Sequence, residues 1–455
     1  MRRRGMVLVA VLVVTALAAL VAAALIYRAR AEVAASTASV RGNQAYAAAL
    51  SGLEYTMAVL DEYADDPEIW LDNPEVFQSR EVAAGAETWY FTVYAANAED
   101  EDEVRYGVVD EAAKLNLNTV SEDTLERLDR LTPELRDCLL DYRDKDAEPR
   151  SSGAEQTYYD SLPFPYVMAN GPFATVEELL MVKGFTADLV YGDDANFNGR
   201  LDPNEDDGVD RLPRDDRDGE LDPGLRDLLT VHTVVPNVDR EGRPRIDING
   251  GDLPEDLVLS EATRTLVEVY RAEGNTFNHP AEVAGLRFQV KKKHKKYPDL
   301  RKGTWLRENL AQGDLETLLD RTTAKAQRKM KGLVNVNTAW AEVLAALPGL
   351  DSGLAQQIVD VRSGLSADTR STMAWLYVQG VLEADVFKEV APYLTARSFQ
   401  FRVRCVGFGV PSGHYRVLEA VVDLAGERPR LAYVRDTTRL GLPLVLDPEQ
   451  VERSR

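Results

Sequence analysis

The chain has 455 residues, 45% of them hydrophobic, which is enough for two or three folded units. Its 75 acidic residues outnumber 53 basic ones and leave a formal charge of −22, which repels nucleic acid. Two cysteines and four scattered histidines suggest neither a zinc set nor a redox pair. Cys138 and Cys405 read either as one disulfide or as two unpaired core thiols.

At the N-terminus, MRRRG leads into residues 6–26, MVLVAVLVVTALAALVAAALI. This uncharged apolar run is long enough to cross the roughly 30 Å hydrocarbon core of a bilayer as one helix. A secretory signal would have a shorter apolar core, then small residues at a cleavage site. Here the helical pattern continues to about residue 64, with Tyr46, Leu50, Leu53, Met57 and Leu60 marking one apolar stripe. Residues 6–64 therefore read as a membrane anchor that continues as a stem. Arg2, Arg3 and Arg4 outweigh Arg28 and Arg30 and put the N-terminus in the cytoplasm, with the body outside that membrane.

Residues 65–81 read as a loop containing Pro and Asn. TWYFTVYA (88–95) is dense in aromatic and β-branched residues and predicts a strand. The acidic turn AEDEDE (98–103) and VRYGVVDE (104–111) then suggest a hairpin. Near the far end, FQFRVRCVGF (399–408), HYRVLEAVVDL (414–424) and LAYV (431–434) alternate as strands. The strands form separate small sheets or, more economically, one sheet with a helical domain inserted into it.

That middle contains a repeat. LNLNT (115–119) and VNVNT (334–338) are each followed by a short amphipathic helix and by a second helix, ending in LLDYRD (139–144) or IVDVRS (358–363). Each copy then reaches a predicted Ser/Thr-opened helix closed by glycine, TVEELLMVKG (175–184) or STMAWLYVQG (371–380). IDING (246–250), LVEVYRAEG (266–274) and HPAEVAGL (279–286) form a degenerate third copy. These units resemble SAM-like helix-hairpin-helix modules, which often bind DNA through a Gly-h-Gly turn. Here the turn is Gly349-Leu350-Asp351, whose carboxylate repels phosphate, and the first copy, LTPELRD (131–137), has no glycine. The units therefore read as packing modules. The basic run KKKHKK (291–296) reads as a solvated loop.

Between the first two units lies an acidic insertion, 192–227, with thirteen carboxylates and five arginines in its last 35 residues. Asp194, Asn196, Asn198, Gly199, Arg200, Leu201, Asp202 and Glu205 match positions 1, 3, 5, 6, 7, 8, 9 and 12 of an EF-hand-type calcium loop. Oxygens at 1, 3, 5, 9 and 12 and the Arg200 carbonyl converge on one point, Gly199 takes the sharp turn, and Leu201 is expected to point into the core. Pro203 argues against a regular exiting helix. A second, weaker candidate is Asp216, Asp218, Glu220 (through its carbonyl) and Asp222. One structural calcium ion is expected and two are possible; the competing reading is a disordered acidic loop. No nucleophile, phosphate loop or acid–base constellation points to an enzyme.

The short basic leader ending in Gly5, the apolar residue after it and the long hydrophobic helix resemble the signal of type IV pilins and type II secretion pseudopilins. That resemblance implies cleavage by a prepilin peptidase between Gly5 and Met6 and methylation of the new N-terminus. A plain uncleaved anchor is the other reading of the junction. Most members carry Glu at the fifth mature position, and here it is Ala10. With the NLNT-type helical domain and its calcium-type loops, this departure resembles the minor pseudopilin K family (general secretion pathway protein K).

The family implies an α+β, pilin-like fold: a long N-terminal transmembrane helix packed on an antiparallel sheet, with a large inserted helical domain of SAM-like repeats. The expected divisions are leader 1–5, transmembrane helix and stem 6–64, first part of the core 65–113, insert 114–397 with calcium loops at 192–227, and core strands 398–455. The family also implies a single-pass protein of the inner membrane with a periplasmic body, at the tip of the type II secretion pseudopilus. There it would initiate and cap the filament for export of folded proteins across the outer membrane. The implied partners are minor pseudopilins I and J, other pseudopilins, the inner-membrane secretion platform and the prepilin peptidase, with no nucleic acid. The alternative is a membrane-anchored helix-hairpin-helix DNA receptor of the competence type.

Overall fold

The computed structural model describes residues 2–96, 104–203, 205–206, 208, 214–215, 217–442 and 444. The acidic turn predicted at 98–103 lies outside them.

Helix α1 (Arg2–Tyr63) is unbroken through anchor and stem. It is the described helix long and apolar enough to cross a membrane. Its first part is bare, with Met6 74% and Leu20 66% exposed. From Gly42 onward one face is buried against a seven-stranded antiparallel sheet. In the order β1 (Arg80–Ala83), β2 (Thr88–Ala96), β5 (Gln400–Val410), β6 (Tyr415–Asp423) and β7 (Arg430–Asp436), each strand pairs with the next. The short β3 (Val104–Arg105) pairs with β2, and β4 (Val109–Asp110) with β5. The hairpin expected from 88–111 is thus only half made. Beyond Arg105 the chain crosses to β5, whose eleven residues make a longer partner for β2. One sheet is interrupted by the insert, as the more economical reading had it. The stretch 65–81 is more structured than a loop, with helical turns Pro67–Trp70 and Pro74–Phe77 before β1.

The buried face of α1 keeps Leu53 and Leu60 of the predicted stripe and departs from it nearer the membrane. Tyr46 and Leu50 remain 42% and 36% exposed, whereas Ala45, Ala49, Leu53, Thr56 and Leu60 are fully buried. The cause is Gly407 in β5. A Cβ there would collide with the Ala45 carbonyl oxygen and the Ala49 backbone nitrogen, so the helix backbone itself lies on the strand and small residues face it. Gly407→Val is expected to cost about 2–3 kcal/mol by overpacking. Urea unfolding of the detergent-solubilised chain measures this, with Gly251→Ala, whose Cβ meets open space, as the neutral control.

Alternation along β5 gives the sheet two faces. Phe401, Val403 and Cys405 join Leu53, Leu60, Trp70 and Phe91 beneath α1. Gln400, Arg402 and Arg404 are also buried, on the opposite face. The Gln400 side chain pairs with both backbone groups of Val234 in the insert (2.8 and 3.1 Å).

Within the insert each of the three units is closed by a two-residue parallel ladder. Leu115–Asn116 pairs with Leu229–Thr230, Ile246–Asp247 with Thr322–Thr323, and Val334–Asn335 with Leu394–Thr395. The outer units repeat one arginine device. In the first, Arg143 on α2 (Pro133–Arg143) donates to the carbonyls of Leu117 and Val120 (2.7 and 3.0 Å). In the last, Arg362 on α4 (Ser352–Ser363) donates to those of Val336 and Ala339 (3.0 and 2.6 Å). The middle unit is built on α3 (Glu261–Ala272). The glycine-closed helices are shorter than expected: one is a 3-10 turn, Val176–Met181, and the other only Trp375–Val378. The basic run joins the strands Arg287–Gln289 and Trp305–Arg307, with His294 held by Glu273 (2.8 Å) and Lys296 by Glu268 (2.6 Å). Cys138 lies in the insert core and Cys405 beneath α1; both are buried free thiols, and the disulfide reading falls.

Candidate metal centre

The acidic insertion leaves the helical turn Ala187–Tyr191 and is pinched at its base. There the Asp193 N–H donates to the Asp222 carbonyl and the Asp222 N–H to Asp193 Oδ2 (both 3.1 Å). Inside, the loop wraps around its own oxygens. Asp194 accepts from the N–H groups of Asn198 (3.0 Å) and Gly199 (2.8 Å), Asn196 from Asn198 (2.9 Å), and Asn198 from Arg200 (2.8 Å). Glu205 closes the ring, taking Ala195 (2.9 Å) and Asn196 (3.3 Å) on Oε1 and Asp202 (3.0 Å) on Oε2. The amides of Asn196 and Asn198 both reach Asp202 Oδ2 (2.6 and 3.0 Å). Side chains from the expected positions 1, 3, 5, 9 and 12 therefore gather within one turn of backbone.

Asn198 and Glu205 are buried, and burial pushes the Asp194 carboxyl up to about 6 and that of Glu205 up to about 7. Buried carboxylates without a cation favour the neutral acid. An all-oxygen donor set of this kind fits a hard divalent ion. Asp194, Asn196, Asn198, Asp202, Glu205 and the Arg200 carbonyl would hold it. The described part of the second candidate is less gathered: Asp218, Glu220 and Asp222 are all exposed, and Asp216 lies outside the described residues.

The loop is seated on the sheet by a residue the sequence did not single out. Leu201 is only half-buried, and Phe197 points inward instead. The Arg226 guanidinium lies 3.6 Å from the centre of its ring, and Arg404 of β5 donates to its carbonyl (2.7 Å). Gly199, at φ +74°, turns so close to β2 that a Cβ would strike Ala96. Arg226 comes from the turn Leu225–Leu228 at the insertion's exit and donates to Glu419 on β6 (2.6 Å). Glu419 also accepts from Arg402 and Arg404 (both 3.0 Å), and Arg402 from its other side bonds Glu111 (2.7 Å). Ends of the insertion, first unit and sheet thus meet in one buried ion network.

Two family models, both described as type II secretion system protein K, match residues 110–191 and 334–379. These two segments are similar to that family. The matches fall on the first and last of the three units, each starting at or just before its NLNT-type ladder. No curated protein matches the chain. Among solved structures, a chain of the GspK-GspI-GspJ complex of the type 2 secretion system of enterotoxigenic Escherichia coli is 13% identical, over 90% of this chain and 99% of that one. Its TM-score of 0.35 is too low for the likeness to bear weight, and the similarity to protein K rests on the two matched segments.

The turn that would approach DNA is occupied from within. Arg127 of the first unit donates to the carbonyls of Leu347 and Leu350 (3.4 and 3.2 Å), and Asp351 caps α4 by accepting from Leu354 (2.8 Å). At the other end of the molecule Met6 and Ala10 are exposed on α1, and Gly5 lies within that helix.

Proposed function

We propose that the chain is a minor pseudopilin of a type II secretion system that works at the tip of the pseudopilus. Two protein K segments, on a chain with an unpartnered apolar helix leading into a pilin-like sheet, carry this reading. Cleavage after Gly5 by a prepilin peptidase would expose Met6 for methylation. Ala10, lacking a carboxylate, would leave a neighbour's amine unpaired, and the insert would sterically cover the position above it. Such a subunit starts and caps a filament but does not lengthen it. The body then lies in the periplasm, anchored by one pass through the inner membrane. Its partners are minor pseudopilins I and J, with the other pseudopilins and the secretion platform below. The loop at 192–205 would hold structural calcium, with the region of Asp218, Glu220 and Asp222 as the weaker second site.

The N-terminal mass of the protein from its own membrane tests the reading. The expected mature chain begins at N-methylated Met6. An intact Met1, or a cut beyond Ile26, would overturn it.

A further inference from the structure

A second group of oxygens converges outside the acidic insertion. Helix α2 runs out at Asp144, and the chain loops back to Glu155, the residue before the turn Gln156–Asp160. One carboxylate oxygen each from Asp144, Asp146 and Glu155 lies within 4.8 Å of the other two. Like charges at that spacing repel, most strongly at Glu155, the buried member of the three. Glu155 is only 6% exposed, and its Oε1 is sealed from solvent without a hydrogen-bond partner. Asn170 donates its amide to the Asp146 carbonyl (3.1 Å), and its own Oδ1 is likewise buried and unpartnered. Basic side chains of the loop do not answer these oxygens. Arg150 is engaged by Glu122 (3.0 Å) and Asp141 (3.5 Å), and Lys145 is exposed with no ion pair among the described residues.

A buried acceptor normally has a donor, and an orphaned oxygen on one of three gathered carboxylates, with a second on the residue that binds the Asp146 carbonyl, points to a missing ligand. We propose that Asp144, Asp146, Glu155 and Asn170 form a cation site separate from the acidic insertion, taking calcium through oxygen alone. Calcium suits it better than magnesium. The donors mix carboxylates with an amide in an irregular loop, and Asp146 is open to water for the remaining positions. The bound ion would tie the loop 144–155 to the Asn170 turn and so fix the edge of the first unit. Nothing in this site depends on the secretion role.

The test counts calcium bound by the full chain in detergent, by equilibrium dialysis against calcium chloride. Glu155→Gln and Asp146→Asn are each expected to lower the count by one ion per chain, or to weaken one class of ion at least about tenfold. In chelator, Glu155→Gln should melt no lower than the parent, since it removes a repelling charge, and in calcium it should lose part of the parent's gain. Asp146 is exposed, so its variant decides the matter if Glu155→Gln does not fold. An unchanged count and affinity in the folded variants would overturn the site.

Discussion

Calcium is expected to stabilise the chain by about 3 kcal/mol at a hundredfold excess over its dissociation constant, and Glu205→Gln to remove most of that gain. The size follows from linkage alone, and the location from Phe197. The loop oxygens are wrapped by their own backbone, so an ion at their centre would hold the turn that carries Phe197 between Arg226 and Arg404. Without it, half-buried Asp194 and buried Glu205 either repel or take up protons, and the turn has less to hold it. Thermal unfolding in calcium and in EGTA measures the difference. Protease cleavage inside 192–227 should rise in EGTA for the parent and be high in both buffers for Glu205→Gln. Glu155→Gln should leave that cleavage calcium-sensitive, which separates the two sites. A parent whose melting and cleavage ignore calcium would sink the proposed role of the loop.

Much of this architecture is legible in the residues because local rules act alone there. The run 6–26 is unambiguous by length, and the paired NLNT motifs mark ladder positions that the fold uses three times. The loop at 194–205 is readable since each oxygen's position along one turn of backbone is set by sequence spacing. What sequence did not reveal depends on partners far away in the chain. Alternation in FQFRVRCVGF puts Arg402 and Arg404 opposite the apolar face, which normally means solvent, and only the insert's return covers them. The stripe on α1 holds at Leu53 and Leu60 but not at Tyr46 and Leu50, where hydrophobicity favours large residues and Gly407, some 360 residues on, selects for the smallest side chains. The orphaned oxygens at Glu155 and Asn170 likewise come from loops whose approach no spacing rule predicts. The one available signal was the density of Asp and Glu in 144–155, which in so acidic a chain carried no weight.

Glu419→Gln should be the most damaging single substitution in the body, at about 3–5 kcal/mol, the usual cost of leaving buried charges unpaired. Glu419 is 1% exposed and faces Arg226, Arg402 and Arg404 at hydrogen-bond distance, with Arg435 at 3.6 Å. Glu111 continues to pair with Arg402, and Glu177 lies 3.5 Å from Arg226 and 3.2 Å from Arg435, so Arg404 loses its only ion-paired carboxylate among the described residues. Adding Arg404→Met should recover part of the loss, because it removes the orphaned cation together with its desolvation cost. The same network sets the acid limit of the fold. Burial alone would raise Glu111, but Arg402 and Lys114 outweigh it and hold that carboxyl at about 2. Arg226, Arg402 and Arg404 likewise overcome burial and hold Glu419 well below the ordinary range. A carboxyl depressed by folding stabilises fully above its unfolded value, about 4.3, and loses that contribution as pH falls toward the folded one. Urea unfolding should therefore show the parent weakening from about pH 4.5 downward, with a shallower slope in Glu419→Gln. A substitution costing under about 1 kcal/mol would mean that water, not Glu419, solvates these arginines, and that other contacts, those of Phe197 and Gln400 among them, hold the insert to the sheet.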